Sequence, residues 1–481
     1  MAIKPVVFSN WGNGGISDSK WSGLPDSLYR MVGLDPHSEP AVLKAEQKLT
    51  KDSGATVDEF VKWQVVSSNG RTYHFSADSG KIWERQSNGT WTLVHTTTAA
   101  AGEHKCLGAI EYRGYIYWAT ELRLHRILAT DGEGAVEWTA NVAEDYQTFG
   151  IGNKEWHPMI EQQLNLYIGD GYYLALFDVD DAWTQDALDI RQPMIIKSLG
   201  KLGTDILIGT YVDDNITKTE IWRWNGWSVD ATTSDTIDEV GVNAFIQADN
   251  FVYVSAGKSG NIYSYDGNKL ELYKKVQGIY SSTATCVVHP NATTILDNQV
   301  LFGVSNASGN PCLEGVYRIG RNSKNYNWIM DIPYPISERS GGAFVMSGIE
   351  IGSIITVGQK IMVSWKNSAA YGVDLLDSST KLSGAYFETR VMRPDRLLIS
   401  TFSEFVMAYN SLPANTALTL SYDKNYAGSY TSPTSSQVID TDRKLITLEE
   451  GLDATALQLK CVFTCSSNTT PSLEYLVAKL T

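Results

Sequence analysis

The sequence predicts an all-β protein: a seven-bladed β-propeller preceded by an N-terminal extended arm and followed by a C-terminal β-sandwich. Three observations predict it. A pair of short apolar runs recurs seven times through the middle of the chain. Hairpin-turn dipeptides follow several of these pairs. The last hundred or so residues then change to period-two alternation. At 481 residues the chain has room for about three domains of ordinary size. The expected division is an arm over 1–56, a propeller over 57–380 and a sandwich over 381–481.

The arm carries no repeat. It holds Gly12, Gly14, Gly15, Pro25, Pro36 and Pro40, with Trp11 and Trp21 as aromatic anchors. Such a stretch suits an extended segment that docks on its own propeller or on a neighbouring subunit, and equally a simple packed N-terminal extension.

The propeller rests on the repeats. The first runs are Thr72–Ser76, Ile116–Ala119, Leu166–Gly169, Ile206–Gly209, Val252–Ser255, Val300–Gly303 and Ile361–Ser364, each ending in a small residue. Those small residues recur at steps of 40 to 61 residues. The second runs are Ile82–Arg85, Leu124–Ile127, Leu174–Phe177, Ile221–Trp224, Ile262–Tyr265, Val316–Ile319 and Ala370–Val373. Asn88-Gly89, Asp131-Gly132, Asn225-Gly226 and Asp266-Gly267 follow as tight turns, where Asn and Gly tolerate positive φ. Units of this length with three or four short strands are the mark of propeller blades, which bury one another by stacking radially. The small residue ending each first run is expected at the crowded axis.

In the terminal region, Leu418–Tyr422, Leu445–Leu448 and Leu457–Phe463 alternate apolar and polar positions, as half-buried antiparallel strands do. Phe405–Tyr409 and Leu473–Val477 add two more strands.

One turn carries a known motif. Ser76-Ala77-Asp78-Ser79-Gly80-Lys81-Ile82-Trp83 matches S-x-D-x-G-x-x-W and resembles the Asp-box of sialidases and other propeller families. The resemblance implies that Asp78 ties down the turn beside Ser76, Gly80 supplies the unusual backbone angle and Trp83 plugs into the blade. In those families the motif joins the third and fourth strands of a blade.

Composition excludes several classes of function. Lys plus Arg is 39 and Asp plus Glu is 54, a net charge of −15, so a nucleic-acid partner and a polybasic membrane contact are not expected. No apolar run is long enough to span a bilayer, and Met1–Phe8 turns polar too soon for a secretion signal. Cys106, Cys286, Cys312, Cys461 and Cys465 are scattered, and they read as free thiols of a protein made in a reducing cytoplasm. The seven histidines have no metal-ligand spacing, so no metal and no cofactor are expected. Asp178-Val179-Asp180-Asp181 and Asp213-Asp214-Asn215 offer oxygen ligands for calcium, without the glycine and distal Glu of a calcium loop. A sialidase-type hydrolase needs an arginine cluster, for which Arg71, Arg113, Arg223, Arg318 and Arg339 are loose candidates outside any motif. Arg126, Arg223 and Arg318 recur at related places in the second runs, which favours a repeated structural role. No catalytic residue is assigned.

The chain also resembles tail-associated propeller proteins of tailed bacteriophages. The resemblance is carried by Gly14–Ser19, Ser38–Leu43 and Leu49–Asp52 near the start, and by Leu457–Lys460 and Thr470–Tyr475 near the end. It implies a structural component of the virion, in the tail or host-adsorption apparatus, assembled in the host cytoplasm as a homo-oligomer among other virion proteins. The alternatives are a propeller that binds a host glycan or receptor, and a sialidase-like glycoside hydrolase.

Overall fold

A computed structural model describes the chain except residues 1–4, 24–25, 53–56, 87, 99–104, 130–141, 154, 213–217, 249–250, 277–285, 307–313, 339–347, 369, 394–398, 434–436, 441–442 and 481. It is an all-β structure, with one helical turn, Trp11–Gly14, among the described residues. The chain divides into two compact units that do not follow its order. One comprises 50–315 and 336–375, the other 1–49, 316–335 and 376–481.

The first unit is propeller-like. Its first five sheets are consecutive antiparallel meanders, each strand paired with the next. The first sheet runs through Val61–Val66, Thr72–Ser76, Lys81–Arg85 and Trp91–Thr96. The second takes Gly108–Tyr112, Tyr115–Ala119, Arg123–Leu128 and Ala143–Thr148. The third takes Met159–Gln162, Asn165–Asp170, Tyr173–Phe177 and Trp183–Asp189. The fourth takes Ile195–Leu202, Asp205–Tyr211, Thr219–Trp224 and Thr233–Ile237, and the fifth Val242–Gln247, Val252–Ala256, Asn261–Tyr265 and Leu270–Lys275. Cys286–Val287, Thr293–Leu296 and Gln299–Asn306 come next. The last sheet is Ile349–Val357, Lys360–Asn367 and Ala370–Lys381, and its fourth strand is Gln47–Lys51, from before the first sheet. Asp52 N–H donates to the Val373 carbonyl (2.9 Å) and Lys51 Nζ to the Tyr371 carbonyl (2.8 Å) at that seam.

The expected runs are therefore the second and third strands of their sheets, and a further strand precedes each pair. The small residues fall toward the end of the second strand. A Cβ on Gly169 would lie 2.8 Å from Ile196 Cγ2, on the first strand of the following sheet. Gly209 faces Val242 and Gly303 faces Ile351 in the same way. Small residues are needed where the end of a second strand meets the next sheet. Aromatic and branched side chains fill the rest: Tyr73, Phe75, Ile82, Ile116 and Trp118 form one buried cluster, and Leu166, Ile168, Ala175 and Phe177 belong to another. Burial of this kind contributes about 25 cal/mol per Å² of apolar surface.

In the second unit, Val6–Phe8, Leu473–Leu480, Ser400–Tyr409, Arg443–Ala454 and Gln437–Asp440 form one sheet in that order. A second sheet places Ile329–Tyr334, Leu28–Val32, Ala385–Thr389, Leu457–Thr464 and Ala417–Lys424 side by side. Phe405 of the one sheet meets Tyr422 of the other at 6.2 Å between ring centroids. The leading segment, expected as an extended arm or as a packed N-terminal extension, is built into this unit and so follows the second expectation. Its strand Leu28–Val32 pairs antiparallel with Ala385–Thr389 and parallel with Ile329–Tyr334. Trp11 packs on Phe387 at 5.4 Å and donates from Nε1 to the Glu474 carbonyl (3.0 Å). Arg318 is buried here among carboxylates. It grips Asp331 with Nε (3.1 Å) and Nη2 (2.6 Å), and reaches Glu46 with Nη1 (2.6 Å).

Candidate functional site

The residues singled out from the sequence do not gather into one site, although Arg113 and Arg126 both reach the acidic loop 178–181. At the Asp-box turn the side-chain ties come from Ser76. Its Oγ accepts from the Asp78 N–H (2.9 Å) and the Ser79 N–H (3.0 Å) and donates to Glu59 Oε2 (2.5 Å). Gly80 has φ +73°, the left-handed value that favours glycine. Trp83 is buried against Val61 and Trp91. The turn joins the second and third strands of its sheet, one strand earlier than in the families it resembles.

The arginines are each engaged locally. Arg71 pairs with Glu84, Arg223 with Asp205, and Arg126 with Asp181 at 3.3 Å. Arg113 donates to the Val179 carbonyl (2.5 Å), and Arg318 lies in the other unit. Arg339, Cys312, the turn Asp131-Gly132 and the acidic stretch 213–215 lie outside the described residues. In the loop 178–181, Asp178 Oδ1 accepts from the Asp180 and Ala182 N–H groups, both at 2.9 Å, which makes it a turn former. Among the described residues no three His, Cys, Asp or Glu side chains come together as a metal site.

The structure assembles a different cluster, in the propeller-like unit, where the first strands of the sheets begin. Lys62 opens the first sheet, Trp156 precedes the third, Lys197 opens the fourth, Asn243 the fifth, His289 precedes Thr293–Leu296, and Glu350 opens the last. Trp156 is the hub. Lys62 Nζ sits 3.8 Å from its ring centroid, Lys197 Nζ 5.6 Å away and the His289 ring 5.4 Å away. His289 Nε2 lies 3.0 Å from Glu350 Oε1. Lys197 Nζ donates to Asn243 Oδ1 (2.7 Å), and Lys62 Nζ to the Glu155 carbonyl (3.4 Å).

Neither lysine makes an ion pair with a carboxylate among the described residues. Burial therefore pulls both ammonium groups down, Lys197 to about 8. Burial also lowers His289, against the pull of Glu350. On Glu350 burial pushes upward, but the His289 contact and the nearby lysines outweigh it and hold the carboxyl below its usual range. Beside this cluster opens a cavity of ≈ 520 Å³, lined by Tyr211, Tyr172, Met194, Gln192 and Glu155 among others. Tyr211 joins the two, because Lys197 Nζ is also 5.8 Å from its ring.

The sequence hid this cluster. Its members lie one per sheet, at strand starts outside the repeated runs, and only Lys62, set between apolar Val61 and Trp63, hints at it.

No family model matches the chain, and no curated protein matches it. Solved structures do. The extracellular domain of the hybrid two component system BT3049 from B. thetaiotaomicron is similar at a TM-score of 0.50 and 9% identity, over 94% of this chain and 62% of that one. The extracellular domain of BT4673 from the same organism is similar at 0.48 and 12%, over 80% and 44%. Streptogramin B lyase is similar at 0.45 and 9%, over 69% and 97%. The chain thus spans less than half of the BT4673 domain, and at 9% identity the likeness to the BT3049 domain speaks to the fold alone.

Proposed function

We propose that this chain is a non-catalytic assembly protein, built on a closed seven-bladed propeller and a β-sandwich, and that it serves as a homo-oligomeric component of a tailed-phage virion, in the tail or adsorption apparatus. Closure is supported by packing of first strand on first strand from sheet to sheet, with Ile349–Val357 packing back on Val61–Val66. The fourth strand of the last sheet, drawn from before the first, supports it too. The sandwich is supported by the two sheets of the other unit and their facing aromatic rings.

One observation carries the assembly reading. At the turn end of the third and fourth sheets, Leu164, Val179, Trp227 and Val229 stand in solvent, with Trp227 75% and Val229 90% exposed. The turn bearing Trp227 is built to hold it there. Asn225 Oδ1 accepts from the Trp227 N–H (2.9 Å) and the Ser228 N–H (3.0 Å), and Trp224 Nε1 donates to the Ser228 carbonyl (2.8 Å). A preformed turn that shows apolar side chains to water fits a protein–protein contact, where tryptophan anchors dominate the binding energy. The virion setting rests on the terminal sequence resemblance. The test is mass spectrometry of particles purified from the lysate of a producing culture. The expected result is this chain in fixed stoichiometry to the other particle proteins, and its absence from washed particles would contradict the reading.

A second reading, a glycan- or receptor-binding surface, is favoured by an exposed platform on the other unit. There Trp21 packs on Tyr426 at 4.3 Å and Arg393 lies 4.1 Å over the Trp21 ring. A glycan array with no hit would remove it.

A further inference from the structure

The propeller-like unit holds two half-buried lysines that make no ion pair with a carboxylate among the described residues, set against one indole and next to the cavity that Glu155 and Tyr211 line. We propose that this is a binding site for a small molecule with an oxyanion head and an apolar body, the head held by Lys62 and Lys197 over Trp156 and the body lying along Tyr211 in the adjoining cavity.

The chemistry of the head follows from what the lysines lack. Each lysine is partly withdrawn from water, and among the described residues each ammonium has one neutral oxygen acceptor, from Glu155 main chain or from Asn243. A charge partly withdrawn from water and without an ion pair carries a cost, and an incoming anion offsets it. The Trp156 ring stabilises both cations through its face and fixes their positions, so the pair is in place before a ligand arrives. His289 is occupied by Glu350 and adds a second rigid wall to the indole. Lysines act as point charges and do not demand the planar fork that an arginine would favour, so a carboxylate and a phosphate both satisfy them.

The body is set by the cavity. Its volume of ≈ 520 Å³ falls in the range of small-molecule sites, and Tyr211, Tyr172 and Met194 give it aromatic and apolar walls. Glu155 on its rim repels a second negative charge, so one anionic head is preferred to a polyanion. This inference is independent of the assembly role.

The test is isothermal titration calorimetry on the full chain with benzoate, phenyl phosphate, inorganic phosphate and benzyl alcohol. Benzoate and phenyl phosphate are expected to bind, each about tenfold or more tighter than inorganic phosphate or benzyl alcohol. The preference between the two acids identifies the head. Lys197→Met and Lys62→Met are expected to lose about tenfold or more of this affinity, while Lys274→Met, away from the cluster, keeps it. Folding of each variant is checked by its circular dichroism spectrum. If Lys62→Met does not fold, Tyr211→Ala serves as the second variant and is expected to weaken the aryl acids and leave inorganic phosphate unchanged. Absence of binding by both aryl acids at millimolar concentration overturns the inference. So does benzyl alcohol binding as well as benzoate, or undiminished binding by Lys197→Met.

Discussion

Lys62 Nζ lies 3.8 Å from the centroid of the Trp156 ring, although the two residues are carried by different sheets and are separated by almost a hundred residues of chain. The contact is a cross-brace between the start of the first sheet and the start of the third. An ammonium over an indole is worth about 2 kcal/mol where it is desolvated. Replacing Trp156 by Leu removes the ring from both lysines. The expected outcome is a fall in stability of about 2–4 kcal/mol, from the lost aromatic packing and the cations left without their partner, read from the midpoint of urea unfolding. A change below about 0.5 kcal/mol would show that the ring does not brace the cluster.

The small residues at sheet junctions give a second prediction. Gly169→Val puts a branched side chain where even a Cβ would stand 2.8 Å from Ile196 Cγ2 and 3.1 Å from Pro158. Overpacking of this kind costs about 1–3 kcal/mol. Gly203, in a turn of the next sheet, has open space around it, and its positive φ of +61° is the sole cost of replacing it. Gly203→Asn, whose side chain tolerates that region, is expected to change stability by less than about 0.5 kcal/mol. Equal effects in the urea midpoint would argue against tight contact between neighbouring sheets.

At the Asp-box turn the two polar side chains are expected to separate. Ser76→Ala removes the acceptor of two main-chain N–H groups and costs about 1–2 kcal/mol. Asp78→Ala leaves those bonds in place and is expected to cost less than about 0.5 kcal/mol. The reverse order, measured by thermal or chemical unfolding, would place the tie on Asp78, as the resemblance implies.

The buried Arg318 site gives stability a pH signature. Three carboxylates, Asp331, Glu46 and Asp35, share one guanidinium, with Tyr334 and His37 packed in the same place. Burial dominates on Glu46. With the like charges of Asp35 and Asp331 it outweighs Arg318 and pushes the carboxyl up to about 7. Its folded-state value thus exceeds the 4.5 of an ordinary Glu, so between about 4.5 and about 7 the folded chain holds more protons than the unfolded one. The contribution of Glu46 to stability is full below this window and falls as pH rises through it. The stability difference between wild type and Glu46→Gln is expected to decline from pH 4.5 to 7 and to level off above, as measured by urea unfolding at each pH. A flat difference would place the proton elsewhere. Arg318→Met, which strands all three acids, is expected to cost about 3–5 kcal/mol at neutral pH.

The all-β class and the repeat were legible in the sequence because the second strand of each sheet is buried on both faces. These strands read as continuous apolar runs such as Leu166-Tyr167-Ile168-Gly169 and Ile206-Leu207-Ile208-Gly209. The first strands were not legible. They mix polar and apolar positions, as Val61-Lys62-Trp63-Gln64 does, because they border both the neighbouring sheets and a cavity lined by residues of several first strands. The path of the leading segment was not legible either. Leu28–Val32 is held by pairing with Ala385–Thr389, more than three hundred residues away, and no local pattern encodes a partner at that distance. The lysine cluster escaped for the same reason, since it exists only when strands from separate sheets are brought together.

The most direct measurement of the assembly role is electron cryo-microscopy of the native particle or oligomer. The result expected is a ring of seven radial sheets whose turn end, with Trp227 and Val229, is buried against a neighbouring protein. A chain that stands alone in the map, or whose Trp227 turn faces solvent while another surface makes every contact, would contradict it.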